Sequence, residues 1–378
     1  MKRFIRINVI IFIIIIVCLK DSYSQKKDFV YQKNPYLQTG MVNTNRITVE
    51  NKVMKSAIDL TKYLPEDFVK DASKDYTEYI QKGIDENKIV KMPNFPLRIN
   101  KSGLNLKSGA RIVFQKKSSL NMEPNSLEVY GILKLFNIED VIIYSPVIIG
   151  DRNMHIGTKG EWGMGIFIQS AKNIQIYNPK ISNCWGDGID IGKGDYDGSR
   201  NIKIINAEID NCRRNGISIC DGNNIIIDRP AISNTNGTPP MCGIDIEPND
   251  NKAILENIHI INPITFNNST AGILIYLDHF LGPIKKNVGI SIENHIDNNS
   301  DIGFILGKYR EQNNTNQQHI GSIDIINPIW KNNRQSINAG NNLMGPLVNF
   351  KNIKIENSKE NLQKIKQELS NIKNIHIN

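Results

Sequence analysis

A short phrase, Gly-apolar-x-apolar, returns six times along the chain and constrains its fold more than any other feature. It reads Gly165-Ile166-Phe167-Ile168, Gly188-Ile189-Asp190-Ile191, Gly216-Ile217-Ser218-Ile219, Gly243-Ile244-Asp245-Ile246, Gly272-Ile273-Leu274-Ile275 and Gly303-Phe304-Ile305-Leu306. The glycines lie 23, 28, 27, 29 and 31 residues apart. Two further phrases run out of step with it. One is Asn-Ile-x-Ile, starting at Asn173, Asn201 and Asn257, with a weaker copy at Asn352-Ile353-Lys354-Ile355. The other is Ile181-Ser182-Asn183, Ile209-Asp210-Asn211, Ile232-Ser233-Asn234 and Ile296-Asp297-Asn298. Each repeat thus holds three short segments in which apolar and polar residues alternate, the period of a half-buried strand.

Strands this short cannot bury an apolar face alone. Coiling the chain so that each strand lies on its copy in the next turn solves the problem, and the product is an all-β solenoid, a parallel β-helix filled with isoleucine. A β-propeller repeats at a longer period, and leucine-rich repeats need a consensus that is absent here. Asparagine at a fixed corner can stack into an amide ladder, and Asn183, Asn211, Asn234, Asn267 and Asn298 fit one. Cys184 and Cys212 each follow a ladder asparagine. Adjacent coils ~4.8 Å apart allow them a disulfide or a buried thiol stack.

The ends read differently. Residues 1–24 have the form of a secretory signal: Lys2, Arg3 and Arg6, an apolar run from Val9 to Leu19, and Ser22 and Ser24 before a cut at Gln25. That run is short for a membrane span, so the expected location is secreted, periplasmic or cell-surface, with no membrane span in the mature chain. Residues 25–70 show no repeat and read as an extension wrapping the N-terminal end. Asp71–Asn87 reads as an amphipathic helix with Tyr76, Tyr79, Ile80 and Ile84 on one face, capping a solenoid over 71–378. Lys359–Ser370 reads as a C-terminal helix, followed by a last strand near Ile372–Ile377. The formal charge is +8, part of it in the leader. A positive field suits an acidic polymer such as a uronic-acid polysaccharide. No basic cluster with interleaved aromatics appears, so no nucleic-acid partner is expected.

The segment Asp71-Ala-Ser-Lys-Asp-Tyr-Thr-Glu-Tyr-Ile-Gln resembles the helix that opens many polysaccharide-acting members of the pectin-lyase-like superfamily, and Ser102–Phe114 resembles one of their coils. The coils from Asn173 to Ile219 are similar to polygalacturonase repeats. The resemblance implies a single-stranded right-handed parallel β-helix with an N-terminal helical cap. It carries no catalytic residues across. Polygalacturonases have an Asp-Asp pair, Gly-His-Gly and Arg-Ile-Lys on successive coils, where this chain has Gly186-Asp187-Gly188-Ile189-Asp190 and Arg214-Asn215-Gly216-Ile217-Ser218. No pectate-lyase motif matches either.

The chemistry is therefore read from the repeat itself. In Gly-Ile-x-Ile the apolar residues point inward and x points outward. Successive x residues are Phe167, Asp190, Ser218, Asp245, Leu274 and Ile305; two residues on are Gln169, Gly192, Cys220, Glu247, Tyr276 and Gly307. Asp187, Asp190, Asp245 and Glu247 gather on nearby coils. Asp190 and Asp245, two coils apart, stand roughly 9.6 Å apart at the backbone, within reach of the ~6.5–9.5 Å between the carboxyls of an inverting glycosidase. Clustering leaves one carboxyl protonated and another ionised, an acid and a base.

Substrate contacts are expected from Arg213 and Arg214 before the Ser218 strand, Lys193 after the Asp190 strand, and His155, Glu161 and Trp162 in a glycine-rich loop. Trp185 on the next coil and Tyr276 and His279 at the far rim complete the set. Arginine forks bind carboxylates, and aromatic faces suit sugar rings. Calcium is possible from the hard oxygen ligands, without a calcium-loop spacing; no other cofactor is implied. The expected function is an exported polysaccharide-cleaving enzyme, a glycoside hydrolase before a polysaccharide lyase. The alternatives are a non-catalytic glycan-binding or adhesin-type β-helix and an epimerase.

Overall fold

A computed structural model describes residues 28–36, 44–194, 197–309 and 316–377. The expected leader, 1–24, lies outside the described residues. The chain divides into two compact units. Of the first, Met1–Val30, only 28–30 are described, without regular structure. The second, from Tyr31 on, holds all the elements below.

Those elements are a β-helix of three all-parallel sheets, each coil contributing one strand to each in turn. The Gly-Ile-x-Ile phrase builds sheet I, nine strands from Leu104–Asn105 to Gln335–Ala339. The Asn-Ile-x-Ile phrase builds sheet II, twelve strands from Ile58–Asp59 to Ile375–Ile377. The third phrase builds sheet III, ten strands from Pro96–Ile99 to Lys354–Glu356. The register follows the repeat: Ile166, Ile189, Ile217, Ile244, Ile273, Phe304 and Ile337 form one continuous column, all buried.

The glycine of the phrase has a steric cause. It sits where the chain turns from sheet III into sheet I and neighbouring coils touch backbone to backbone. A Cβ on Gly188, Gly216, Gly243 or Gly272 would lie 2.6–2.7 Å from the carbonyl oxygen of the next glycine in the column, a contact no side chain tolerates. The corner asparagines have a conformational cause. Asn178, Asn183, Asn206 and Asn211 have φ of 50–57°, a left-handed conformation that asparagine adopts more readily than most residues. Their amides then bond up the stack, as from Asn206 to Asn178 at 3.0 Å and from Asn211 to Asn183 at 2.6 Å.

Two copies of the phrases slip. Asn352 takes its place between sheets II and III, donating to Asn327 at 2.9 Å, and the last full sheet II strand is Leu347–Lys351. In Ile296-Asp297-Asn298 the register is one residue off. Asn299, not Asn298, occupies the ladder and donates to Asn267 at 2.8 Å, while Asp297 falls in line with Ile232 and Thr265 and is fully buried. Its carboxylate accepts from Thr265 (2.6 Å), Ser300 (2.7 Å) and Asn333 (2.5 Å).

The caps stand close to expectation. Helix α1 spans Thr44–Ser56, α2 Thr77–Glu86 and α3 Leu362–Ser370. Ile80 and Ile84 of α2 are buried with Tyr76 just before it, but Tyr79 is exposed. The extension does not all wrap the N-terminal end. Gln32 exchanges backbone hydrogen bonds with the Asn234 side chain, and Tyr36 accepts from Asn298, so residues 31–36 cross the coils along the sheet III corner. Cys184 and Cys212 are buried free thiols. No helix among the described residues is long and apolar enough to cross a membrane.

Candidate functional site

The outer face of sheet I follows the expected column: Lys134, Phe167, Asp190, Ser218, Asp245, Leu274 and Ile305 stand side by side on successive coils. Its acidic rows are not a hydrated surface. Asp187 is 0% exposed, Asp245 1%, Asp190 6% and Glu247 9%. Flanking segments fold over them. Glu161, entering from the segment before the strand Trp162–Gln169, comes within 3.7 Å of Arg214. His279, from the helical turn Asp278–Phe280, comes within 3.5 Å of Glu247.

Arg214 does not border this cluster; it occupies the centre. It leaves the turn before the Ile217–Ile219 strand, at the position where the preceding coil has Gly186, and is 9% exposed. Its Nη1 donates to Asp187 Oδ2 at 2.9 Å. Asp187 also accepts from Ser218 Oγ (2.8 Å) and from the Asn215 backbone (2.9 Å). The Asn215 side chain continues the network, donating to Ser218 Oγ (3.1 Å) and Asp245 Oδ2 (3.0 Å). Asp187 and Asp245 are thereby joined through two neutral residues. On the N-terminal side Gln169 Nε2 donates to Asp190 Oδ1 at 2.6 Å.

Burial sets the protonation of these groups. It pushes the Asp190 carboxyl up to about 7, with the charge of Asp187 adding to the effect. It pushes Glu161 up to about 7 even against the Arg214 guanidinium. Asp245 is driven well above the ordinary range by burial and then by Glu247. Burial disfavours the Arg214 charge too, but Asp187, Asp245 and Glu247 together outweigh it and hold the guanidinium protonated. Around one ion pair there are thus several carboxyls that keep their protons near neutrality. Asp245 Oδ1 and Glu161 Oε2 are buried with no hydrogen-bond partner, a costly state that a ligand hydroxyl would relieve.

The other expected contacts separate into two groups. His155 and Trp185 are buried and do not offer ring faces to solvent. Their rings stack at 3.9 Å, His155 bonds Asp151 at 2.8 Å, and the Arg213 guanidinium lies 3.8 Å over the Trp185 ring. Arg213 also donates to the Gly160 carbonyl at 2.9 Å. This stack pins the loop that carries Glu161, and that is how the three residues bear on the site. Lys193 lies at the rim in an ion pair with Asp250 at 2.7 Å. Tyr276 and His279 meet edge to face at 5.5 Å on the C-terminal side, and Trp162 is half-buried.

Sequence reasoning missed Asn215 and gave Ser218 and Gln169 no role. A signal existed for Asn215: it aligns with Asp187, so the residue before the glycine is polar on both coils. Calcium does not fit the cluster. The Arg214 guanidinium holds the positive charge at its centre, and no group of three or more His, Cys, Asp and Glu among the described residues is placed to hold a metal ion.

The comparisons with known proteins agree with this architecture. The family model for the right-handed β-helix region matches residues 81–257. Two Bacillus subtilis (strain 168) proteins, both described as uncharacterized, are similar in sequence. The prophage-derived YorA is 34% identical over 94 residues, 23% of this chain and 16% of its own. YclG is 28% identical over 229 residues, 55% of this chain and 37% of its own. The chain therefore spans well under half of either relative. Among solved structures, a polygalacturonase from Erwinia carotovora ssp. carotovora covers 82% of this chain and 95% of its own at 14% identity, with a TM-score of 0.53. An endo-xylogalacturonan hydrolase from Aspergillus tubingensis covers 76% and 91% at 14% identity, with a TM-score of 0.51. The chain has the right-handed parallel β-helix fold that these two hydrolases also have.

Proposed function

We propose that the protein is an exported carbohydrate-active enzyme that hydrolyses a polysaccharide on the outer face of sheet I. The observation that carries this reading is the carboxyl cluster around Arg214 on the outer face of sheet I, with Asp190 held up to about 7 beside the Arg214–Asp187 ion pair. A carboxyl titrating there can donate a proton near neutral pH. Asp190 gives its proton to the leaving glycosidic oxygen. Glu247, beside Asp245 at the mouth of the cluster, takes a proton from water, whose oxygen forms the new bond to the anomeric carbon as the glycosidic bond breaks. Asp187 and Arg214 fix the charge beneath them. Two coil steps separate Asp190 from the strand that Glu247 follows, which suits the wide, inverting arrangement.

Elimination is less well served. The base it requires would come from Arg214, which the carboxylates hold protonated, or from Lys193, paired with Asp250. A polygalacturonase and a xylogalacturonan hydrolase share the scaffold, which supports a glycan substrate without fixing one. Export rests on the leader read in residues 1–24. The deep burial of Asp187 and Asp245 favours a second reading, a glycan-binding β-helix without turnover. Residues 25–378 incubated with a panel of acidic and neutral polysaccharides, with products read by mass spectrometry, separates them. Fragments that have gained water support hydrolysis, fragments with a new double bond move the reaction to elimination, and intact polymer retained by the protein supports binding alone.

A further inference from the structure

The asparagine ladder at the corner between sheets III and I is interrupted at one rung. Asn211 donates to Asn183 at 2.6 Å, Asn267 to Asn234 at 2.7 Å and Asn299 to Asn267 at 2.8 Å. Between Asn211 and Asn234 the pattern changes. Asn234 is fully buried, and its amide sends one hydrogen to Asp210 Oδ1 (2.6 Å) and the other to the Gln32 carbonyl (2.9 Å). The Asn211 side-chain oxygen, which the ladder would give to Asn234, accepts instead from Arg152 Nη1 at 2.9 Å. The same nitrogen donates to the Asn211 carbonyl at 2.8 Å, and Arg152 Nη2 donates to Asn236 Oδ1 at 3.0 Å. Two segments far apart in the chain thus meet at this rung. One is residues 31–36. It runs along the corner from Tyr31, which donates to Asp210 at 2.9 Å, to Tyr36, which meets Phe266 edge to face and accepts from Asn298 at 2.8 Å. That path covers three coil steps, about 14 Å. The other is the start of the loop that ends in Glu161.

We propose that residues 31–36 are a strap that positions Glu161, acting through Arg152. The Gln32 carbonyl keeps the Asn234 amide turned away from Asn211, and the oxygen left open is the one that Arg152 grips. Without the strap a buried amide hydrogen loses its acceptor, a loss costly enough to turn Asn234 back towards the rung below it. Asn234 then competes with Arg152 for Asn211. Arg152 adjoins Asp151, whose carboxylate holds Asn125 at 2.9 Å and His155 at 2.8 Å. His155 stacks on Trp185, and Trp185 lies under the Arg213 that donates to the Gly160 carbonyl. Loosening the loop at Arg152 therefore reaches its other end at Glu161 through a continuous series of contacts. The strap's partners follow it in the chain by 179 to 262 residues. It docks only after those coils have formed, so the loop is locked late in folding.

This inference rests on the reading of the sheet I cluster as the working site, but its test uses no turnover. Hydrogen exchange is followed by mass spectrometry on residues 25–378, on a chain that starts at residue 37, and on Tyr36→Ala and Arg152→Gln. The reporters are the backbone N–H groups of Arg152, Met154 and Ile156, bonded to the carbonyls of Asn183, Asp151 and Asn125. The sheet II strands Arg200–Ile205 and Leu255–Ile261 are the controls. Removing the strap should speed exchange of the reporters by about tenfold and leave the controls unchanged, and Tyr36→Ala should act in the same direction by less. Arg152→Gln should match the shortened chain with the strap in place, and joining the two changes should add little. The Glu161 carboxyl, held up to about 7 by burial, should titrate lower in the shortened chain, towards 4.5, a shift that a general loss of stability does not produce. Unchanged reporters in both strap variants, equal speeding of the controls, or effects of strap and Arg152 that multiply would overturn the proposal. Where the shortened chain does not fold, Tyr36→Ala decides alone. If strap and loop behave as stated while every polysaccharide is left intact, the hydrolytic reading falls and the strap keeps its role in holding the loop.

Discussion

Two of the places where the protein buries carboxylates are built differently. Asp297 lies inside the coil, among Thr265, Ser300 and Asn333, and both its oxygens are bonded to neutral donors. The cluster on the outer face of sheet I has five acids, Asp187, Asp190, Asp245, Glu247 and Glu161, around one guanidinium, and two of its buried oxygens have no hydrogen-bond partner. At the interior site both carboxylate oxygens already have donors. The outer site is complete only when something donates to it. Burial alone therefore does not set the outer cluster apart; the guanidinium at its centre and the unbonded oxygens of Asp245 and Glu161 do.

The comparison breaks first on activity. Asp190→Asn and Glu247→Gln should each lower turnover by about 100-fold or more, whereas Asp297→Asn should leave kcat and KM unchanged; assays on the polymer that is cut decide. If Asp297→Asn impairs turnover equally, the two sites are not distinct. The next effect is on stability. Arg214→Met strands Asp187 and should destabilise the fold by about 3–5 kcal/mol. Adding Asp187→Asn should restore most of it, as read from urea midpoints. Asp297→Asn should cost less, about 1–3 kcal/mol.

The pH dependence is smaller and runs against habit. Asp190, Glu161 and Asp297 titrate at about 7 and Asp221 at about 6 in the folded state, all above the unfolded value, so the folded protein binds the extra protons. Their stabilisation is fully present below the ordinary aspartate range and is lost as pH rises through 6 to 7. His295 and His319, lowered by burial to about 3 and about 4, act the opposite way, losing stability as pH falls below the unfolded histidine value. The four acids outnumber the two histidines. The urea midpoint of the ligand-free protein should therefore fall between pH 5 and pH 8, and a rise over that interval would contradict the assignment.

The solenoid was legible because stacking writes the same constraint into every coil. The glycine column records a backbone contact and the asparagines record a left-handed corner. Legibility failed where a coil departs from the pattern: at Asp297 an inward aspartate imitates the outward one of its neighbours, and at Asn352 the corner asparagine precedes an Ile-x-Ile that belongs to another sheet. The acidic column was legible for the same reason as the fold. The position of Arg214 was not, because the side chain crosses a neighbouring coil to its counterion. Nor was the Trp185–His155–Arg213 stack, which depends on a loop that occurs once and carries no repeat.

The claim that the outer carboxyls hold their protons around Arg214 is tested most directly by a carbon-13 carboxyl titration of the ligand-free protein, with Asp190 assigned by loss of its signal in Asp190→Asn. The account predicts an Asp190 midpoint near 7. A midpoint in the ordinary aspartate range near 3.8 would mean that the face is hydrated and the cluster is only a surface charge pattern.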